Sequence, residues 1–370
     1  MPNAFPAELR VPPTVIFQSK ALLRFPEAVS SLGRRGIIVH GHSLEGTPSK
    51  TGLIPLLKNY PMDVSWFCRG TGEATLEEIS SVIHLAQSVD ADWIAGIGGG
   101  SVLDLAKAAA GLFHAKEKPV YYQSGGKLTE KGIPFIAVPT TAGSGSEATP
   151  NAVIINPDKK LKLSIRHPDF LASLVILDPE LLKSAPASIM AQSGMDALVQ
   201  AYESYISKNA TLLTETLALR TIEMIHTSLV KATLTKEENA LNDMLSASFF
   251  AGLAFSHSRL GVIHGIAHSL GVLYKIPHGL ICAICFTSSI KLNREFMGDK
   301  YDKMSRSIGK DLLKRIEDLV RELNLINPFK NLPLIEKETL VRETLQSGST
   351  AANPKPITRN DVEFLLSEIF

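Results

Sequence analysis

Four of the ten histidines lie between residues 257 and 278, and their spacing suits metal chemistry. His264 and His268 are four residues apart, so a helix would place both rings on one face. His278 follows in a Pro-His-Gly sequence, which predicts a loop residue able to point back at that face. A single histidine in a helical segment is more often a satisfied structural group, but His264 and His278 together favour ligation.

Two oxygen donors lie on a second predicted helix. Asp196 and Gln200 are separated by one helical turn in the sequence Gly-Met-Asp-Ala-Leu-Val-Gln. One carboxylate with two or three imidazoles suits Zn²⁺ or Fe²⁺ and leaves a coordination position open for substrate. The spacing therefore predicts a metal centre in this part of the chain.

A glycine-rich turn offers a second kind of chemistry. Residues 96–101 read Gly-Ile-Gly-Gly-Gly-Ser between an apolar run and a predicted helix. Consecutive glycines let the backbone approach a ligand, and a helix N-terminus suits a pyrophosphate. Ser101 is predicted to cap this helix, with Asp104 at the capping-box position. The alternative is a tight turn without a ligand, because the spacing is not G-x-G-x-x-G.

A second loop with small and hydroxyl side chains follows the apolar run at 134–138. Residues 139–147 read Pro-Thr-Thr-Ala-Gly-Ser-Gly-Ser-Glu, so Thr140 and Thr141 offer hydroxyls and backbone amides without bulk. Ligands of open α/β sheets bind outside the carboxyl ends of strands. The two loops together predict one extended, phosphate-bearing ligand.

The elements that must position these residues change character along the chain. Predicted strands at 36–40, 62–67, 93–97 and 134–138 alternate with predicted helices at 50–59, 75–89 and 101–114, which indicates βαβ units and a mostly parallel sheet. Later segments have helical periodicity: 194–207, 211–230, 238–256, 260–272, 310–324 and 358–369. We expect an α/β domain over residues 1–180 and an all-helical domain over 181–370.

Composition excludes several classes of protein. The net charge of +1 over 370 residues argues against a broad nucleic-acid footprint, and no apolar run is long enough to span a membrane. The first thirty residues lack the pattern of a signal peptide. Three cysteines, Cys68, Cys282 and Cys285, cannot form a disulfide framework. Cys282 and Cys285 lie in one apolar run and are predicted to be buried and structural. We therefore expect a cytoplasmic protein.

In the combination of these motifs, the chain resembles the iron-containing (group III) alcohol dehydrogenase family. The resemblance implies a dehydroquinate synthase-like fold, in which a nucleotide-binding α/β domain meets an all-α domain across a cleft. The matching segments are collinear from about residue 95 to 280. They are residues 98–101 with Asp104 and Lys107, 139–147, 178–179, 194–198 leading to Glu203, 261–268 and 277–279.

The resemblance implies metal ligands at Asp196, Gln200, His264 and His278. Family members have an aspartate and three histidines, so Gln200 is a departure that introduces a neutral, weaker donor. Iron is the expected metal, with zinc and nickel as alternatives. His268 would lie near the nicotinamide and the substrate as the catalytic residue that orients them or relays a proton.

The resemblance also implies a nicotinamide cofactor. Family members often carry an acid after the second strand motif that selects NAD through the ribose 2′-hydroxyl, and Gly41 stands there in this chain, with Ser43 close by. The missing carboxylate favours NADP, although NAD remains open. The expected cofactor-binding residues are Gly41, Ser43, Gly98, Gly99, Ser101, Asp104, Thr140, Thr141 and Lys162.

The predicted function is a metal-dependent, NAD(P)-linked alcohol dehydrogenase or aldehyde reductase. The metal would polarise the oxygen of a small alcohol or aldehyde while hydride passes between its carbon and the nicotinamide. Asn151 and Phe255 are expected to line the substrate pocket, whereas His257 and Arg259 read a polar substrate or face solvent. The family resemblance implies a homo-oligomer, most simply a dimer.

Two other functions fit the same sequence. A lyase of the dehydroquinate synthase type would share the fold, the nucleotide and the metal. Such an enzyme needs a cluster of basic residues for its phosphorylated substrate, and we identify no such cluster in the sequence. A non-catalytic binding protein whose metal site has decayed would account for Gln200.

Overall fold

In the computed structural model, which describes residues 3–156 and 161–370, the chain forms two compact units. The α/β unit comprises Arg10–Thr141 and Ser146–Ala185, and the helical unit comprises Met1–Leu9, Ala142–Gly145 and Pro186–Phe370. The expected division between residues 180 and 181 stays a prediction about the domains. Among the described residues, no helix is both long and apolar enough to cross a membrane.

Within the described residues, the α/β unit contains eight strands and five α-helices. The strands are β1 (Val15–Phe17), β2 (Arg35–Gly41), β3 (Asp63–Arg69), β4 (Trp93–Gly98), β5 (Phe135–Pro139), β6 (Asn151–Asn156), β7 (Leu161–Arg166) and β8 (Leu174–Leu177). The helices are α1 (Phe25–Val29), α2 (Pro48–Asn59), α3 (Leu76–Ser88), α4 (Gly100–Gly111) and α5 (Pro119–Gln123).

Six of these strands form one parallel sheet in the order β1-β8-β5-β4-β2-β3. The chain passes from β2 outward to β3 and then returns to the other side of β2 with β4. The strand order therefore reverses between β2 and β4, and the carboxyl ends at such a point are where open α/β sheets bind ligands. Gly41 ends β2 and Gly98 ends β4, so the sheet places two of the expected cofactor-binding glycines there.

Helix α4 packs closely on this sheet. A Cβ atom at Gly96 would lie 3.0 Å from the Cβ of Ala106, and one at Gly98 would lie 2.6 Å from the Cβ of Val102. Larger residues would push the helix away from β4. Residues 102–111 of α4 are all buried, which makes this helix the centre of the unit's packing.

Nine helices of eight or more residues form the described part of the helical unit. They are α6 (Ala187–Ile206), α7 (Leu212–Leu234), α8 (Glu238–Ser258), α9 (Val262–Tyr274), α10 (His278–Asn293), α11 (Lys300–Ser307), α12 (Leu312–Glu322), α13 (Lys337–Gln346) and α14 (Arg359–Ile369). The Ala142–Gly145 segment joins this unit because a Cβ at Gly143 would meet Ser193 of α6 at 2.6 Å, and one at Gly145 would meet Gly252 of α8 at 2.7 Å.

The structure corrects two local predictions. His278 is not a loop residue but the first residue of α10, with Pro277 as its N-cap. Ser101 does not cap α4: Gly99 occupies the N-cap position, and no side chain bonds to the cap. Helix α4 begins one residue before the predicted start at Ser101, because Gly100 fits the pattern of a turn. Helix α10 is absent from the sequence prediction, because the Pro-His-Gly sequence favours a loop there.

Candidate metal centre and nucleotide site

Three helices of the helical unit bring four potential ligand atoms together. Asp196 comes from α6, His264 from α9, and His278 and Cys282 from α10; one donor atom from each lies within 4.8 Å of the others. Asp196 Oδ1 is 3.2 Å from His264 Nε2 and 3.7 Å from His278 Nε2. Three of the four predicted metal ligands are therefore neighbours. Cys282 joins them unexpectedly.

Glu203 fixes the orientation of His264. Its Oε2 accepts a hydrogen bond from His264 Nδ1 at 2.7 Å, and its Oε1 accepts one from the backbone N–H of Ile263 at 2.6 Å. The carboxylate thus satisfies a free N–H at the start of α9 and a ring nitrogen at once. A carboxylate on Nδ1 leaves Nε2 as the coordinating atom, which is the usual support of a metal-bound histidine.

The close contact between His264 Nε2 and the Asp196 carboxylate is favourable only if a positive charge lies on the ring or between the two atoms. With Nδ1 donating to Glu203, a neutral His264 turns the lone pair of Nε2 toward the Asp196 carboxylate, and two acceptors at 3.2 Å repel. Burial lowers the pKa of His264, but the hydrogen bonds to Asp196 and Glu203 outweigh it and raise the pKa to about 9. Without a metal, a second proton on the His264 ring supplies this positive charge. A divalent cation bound between Nε2 and the carboxylate would supply it as well.

Gln200 supplies a further observation that fits a metal. It lies one turn after Asp196 on α6, is 4% exposed, and donates through Nε2 to the carbonyl of Ser144 at 3.5 Å. Within the described residues its Oε1 is buried and has no hydrogen-bond partner. An unpaired buried oxygen costs about 1–3 kcal/mol, which a ligand accepted there would recover.

The separations among the donors also fit one ion. Ligands about 2.1 Å from a tetrahedral metal are about 3.4 Å apart. The two distances from Asp196 Oδ1, 3.2 and 3.7 Å, bracket this value. The residues of the helical unit are therefore compatible with a bound divalent metal.

Four other expected site residues lie on α8 or α9 of the helical unit or directly after α8. His268 on α9 stacks on His278, with ring centroids 5.4 Å apart and planes inclined by 23°. Phe255 is half-buried on α8, and the ring of His257 is 2.8 Å from the carbonyl of Leu253 through Nδ1. Arg259 is exposed at the end of α8. Their roles stay predictions.

In the α/β unit, the two glycine-rich loops meet at the carboxyl ends of β4 and β5. The backbone N–H of Thr140 donates to the carbonyl of Gly98 at 3.0 Å. A Cβ at Gly99 would come within 3.3 Å of Thr141 Oγ1. Both loops thus leave the start of α4 free of bulky side chains, as a pyrophosphate would need.

The remaining expected cofactor residues have identifiable partners. Ser101 Oγ accepts from Arg69 at 2.9 Å, and Lys162 Nζ pairs with Glu73 at 2.7 Å. Gly41 ends β2, and Ser43 is exposed in the single turn that follows. Contact of each with a cofactor stays a prediction.

Asp104 belongs to a buried network instead of a helix cap. It accepts from Ser146 Oγ at 2.5 Å and from the N–H of Val153 at 3.0 Å. Lys107 is fully buried beside it and donates to the carbonyls of Ser146 and Asn151. Burial lowers the pKa of Lys107 to about 8. These hydrogen bonds connect α4 to Ser146 in the second glycine-rich loop and to β6. Asp104 therefore helps to fix the conformation of that loop, whether or not it also contacts the cofactor.

Sequence reasoning missed the position of Cys282. It was grouped with the structural cysteines because it lies in a continuous apolar run. Its spacing of four residues from His278 is the signal that could have placed it, since the two share one face of a helix. Cys285, by contrast, does not belong to the ligand group found in the described part of the chain.

A parallel sheet with glycine-lined strand ends and a buried carboxylate–imidazole group are features expected of a metal-dependent, nucleotide-linked enzyme. Comparison with known proteins shows the family to which the chain belongs. The model of the iron-containing alcohol dehydrogenases matches residues 12–179, and that of the family's C-terminal domain matches residues 190–370. The chain belongs to this family, and it is an oxidoreductase acting on CH–OH groups, as predicted. Membership implies a metal and a nicotinamide-type cofactor.

Individual relatives agree with this assignment. A probable alcohol dehydrogenase, EutG of Escherichia coli K12, is 33% identical over 267 residues, which are 70% of this chain and 67% of that protein. A 1,3-propanediol oxidoreductase structure superposes with a TM-score of 0.93 at 26% identity, covering 98% of this chain and 99% of the other. A sulfoacetaldehyde reductase from Bifidobacterium kashiwanohense, solved with NAD⁺, gives 0.91 at 27% identity and covers 98% of each chain.

Proposed function

We propose that this enzyme interconverts small alcohols and aldehydes with NADP(H) as its preferred cofactor. Its metal would be held by Asp196, His264 and His278, with the Gln200 amide oxygen as an additional neutral donor. The observation that carries the proposal is the convergence of Asp196 and His278 on His264, whose other ring nitrogen is fixed by Glu203.

The chain's own residues have distinct parts in this function. A bound divalent metal supplies Lewis-acid polarisation of the alcohol or carbonyl oxygen. Glu203 keeps His264 in one tautomer and one orientation, so no rearrangement is needed when the site is loaded. His268 stacks on His278 and is the candidate for orienting the substrate or passing on the hydroxyl proton. The glycines at the start of α4 admit the cofactor's phosphates.

The preference for NADP rests on the end of β2. Gly41 has no carboxylate that would repel a 2′-phosphate. Lys50 lies nearby, with its Nζ 3.3 Å from His40 Nε2 and 4.9 Å from the ring centre of Trp66, but it forms an ion pair with Glu45 that offsets both charges. The preference for NADP therefore depends on Gly41.

Steady-state kinetics with NADH and NADPH test the proposal. We expect aldehyde-dependent oxidation of both in protein reconstituted with Fe²⁺, Zn²⁺ or Ni²⁺, with a higher kcat/KM for NADPH. In Gly41→Asp the preference should reverse, because a carboxylate at this place repels a 2′-phosphate and accepts from a 2′-hydroxyl. A wild-type enzyme that favours NADH would contradict the choice of cofactor but not the reaction.

We further propose a dimer located in the cytoplasm, on the strength of the family resemblance. Light scattering coupled to size-exclusion chromatography would measure the mass of the assembly. A monomeric mass would contradict the dimer.

A further inference from the structure

Cys282 lies among the metal donors although the family resemblance gives it no role. It is fully buried on α10, one helical turn after His278, and its Sγ is 3.6 Å from His278 Nε2. The sulfur therefore faces the ligand group and not only the apolar core. The same side of α10 carries both donors because residues four apart share a face.

The distance between these two atoms is that expected of two ligands on one ion. With a metal–sulfur bond of about 2.3 Å and a metal–nitrogen bond of about 2.1 Å, a tetrahedral centre separates sulfur and nitrogen by about 3.6 Å. The Sγ–Nε2 distance in the structure is 3.6 Å. Asp196, His264, His278 and Cys282 thus form a set of four donor atoms, all within 4.8 Å of one another.

A second observation shows why this chain needs such a donor. The family resemblance implies a histidine at the position of Gln200, whose amide oxygen is neutral and a weaker ligand. That oxygen is buried, and within residues 3–156 and 161–370 it has no hydrogen-bond partner. A buried neutral oxygen without a partner among the described residues therefore lies one helical turn after Asp196.

We propose that Cys282 coordinates the metal as a thiolate and compensates for the imidazole lost at Gln200. This inference rests on the proposed function, since it assumes a metal at Asp196, His264 and His278. A thiolate makes the donor set softer than carboxylate and imidazole alone. Thiolate suits Zn²⁺, which sites of nitrogen, oxygen and sulfur donors generally bind more tightly than Fe²⁺. Zinc is therefore the metal that this member of an iron-named family prefers.

Cobalt substitution tests the ligand directly, without reference to activity. Metal-free protein is titrated with Co²⁺, and its visible d–d bands report binding while a thiolate-to-cobalt charge-transfer band in the near ultraviolet reports sulfur ligation. We expect both in the wild type. In Cys282→Ser and Cys282→Ala the charge-transfer band should disappear, and Zn²⁺ affinity should fall by more than about tenfold, the lower end of the cost of perturbing a ligand's support.

Cys285→Ser is the matched control, because Cys285 is equally buried on the same helix but outside the ligand group found in the described residues. It should keep the charge-transfer band. X-ray absorption of the zinc-loaded wild type should show one sulfur at about 2.3 Å. This measurement does not depend on whether a variant folds.

The outcomes separate the two proposals. Cobalt d–d bands without a charge-transfer band in the wild type, or a shell of nitrogen and oxygen alone around zinc, overturn sulfur ligation and leave the metal site intact. A charge-transfer band that survives in both Cys282 variants also overturns it. Failure to bind Co²⁺ or Zn²⁺ at all overturns the metal site itself and the sulfur ligand with it. Preferential uptake of Fe²⁺ in a competition dialysis overturns the preference for zinc.

Discussion

Replacing Glu203 by Gln tests how the metal centre is held together. The two carboxylate oxygens of Glu203 accept from two different donors, His264 Nδ1 at 2.7 Å and Ile263 N–H at 2.6 Å. An amide of the same shape has only one oxygen, so its NH₂ group must face one of these donors. Glu203 is 1% exposed, and water cannot substitute for the missing acceptor.

The size of the effect follows from this geometry. Leaving one buried donor unsatisfied costs about 1–3 kcal/mol, which should appear as a lower free energy of unfolding of the metal-free protein. Loss of the support of a metal-bound histidine typically weakens metal affinity by about 10- to 100-fold, or about 1.4–2.8 kcal/mol. We therefore expect both quantities to fall in Glu203→Gln while nucleotide affinity is retained.

Competition with a chromophoric chelator measures the metal affinity, and urea denaturation measures the stability. Glu215→Gln is the control, since Glu215 forms an ion pair with Lys300 at 2.8 Å elsewhere in the same unit. The control should leave metal affinity unchanged. An unchanged metal Kd in Glu203→Gln would refute the argument that this carboxylate orients His264.

Three further predictions address single residues. Gln200→His should tighten metal binding in the same competition assay; an unchanged Kd would remove Gln200 from the ligands. His264→Ala should abolish turnover and leave nucleotide binding, measured by NADPH fluorescence, largely intact; wild-type activity would refute the metal site. Burial raises the pKa of Glu147 from 4.5 to about 7, so the folded protein binds more protons than the unfolded chain and the free energy of unfolding should fall as pH rises across that range. Urea denaturation of Glu147→Gln should show this slope reduced, and an equal slope would show that Glu147 is not its source.

The strongly patterned elements could be predicted from the sequence. Helix α9 was expected at 260–272 and is found at Val262–Tyr274, and the strand expected at 93–97 is found at Trp93–Gly98. Both have a regular apolar period and clear turn residues at their ends. The local sequence pattern is sufficient to predict a helix or strand when one face of that element is buried and the other is exposed.

Other elements escaped prediction for physical reasons. Helix α10 begins with apolar residues on all sides, so it has no amphipathic period to detect, and its first residue was read as part of a loop. Strand β8 is only four residues long, Leu174–Leu177, and all four are buried. Its place beside β1 and β5 is set by sheet pairing and not by its own sequence.

At the candidate metal centre, too, the local sequence does not determine which side chains come together. The sequence contains three pairs of donors at one-turn spacing: Asp196 with Gln200, His264 with His268, and His278 with Cys282. The spacing predicts that the two members of a pair share one face of a helix, but it does not predict which of them faces the metal. That choice depends on how α6, α9 and α10 pack together. In the second pair Glu203 decides it, because its carboxylate anchors both the first turn of α9 and the Nδ1 atom of His264. In the third pair packing leaves both donors facing the ligand group, and for this reason a cysteine that looked structural in the sequence becomes a candidate ligand in the fold.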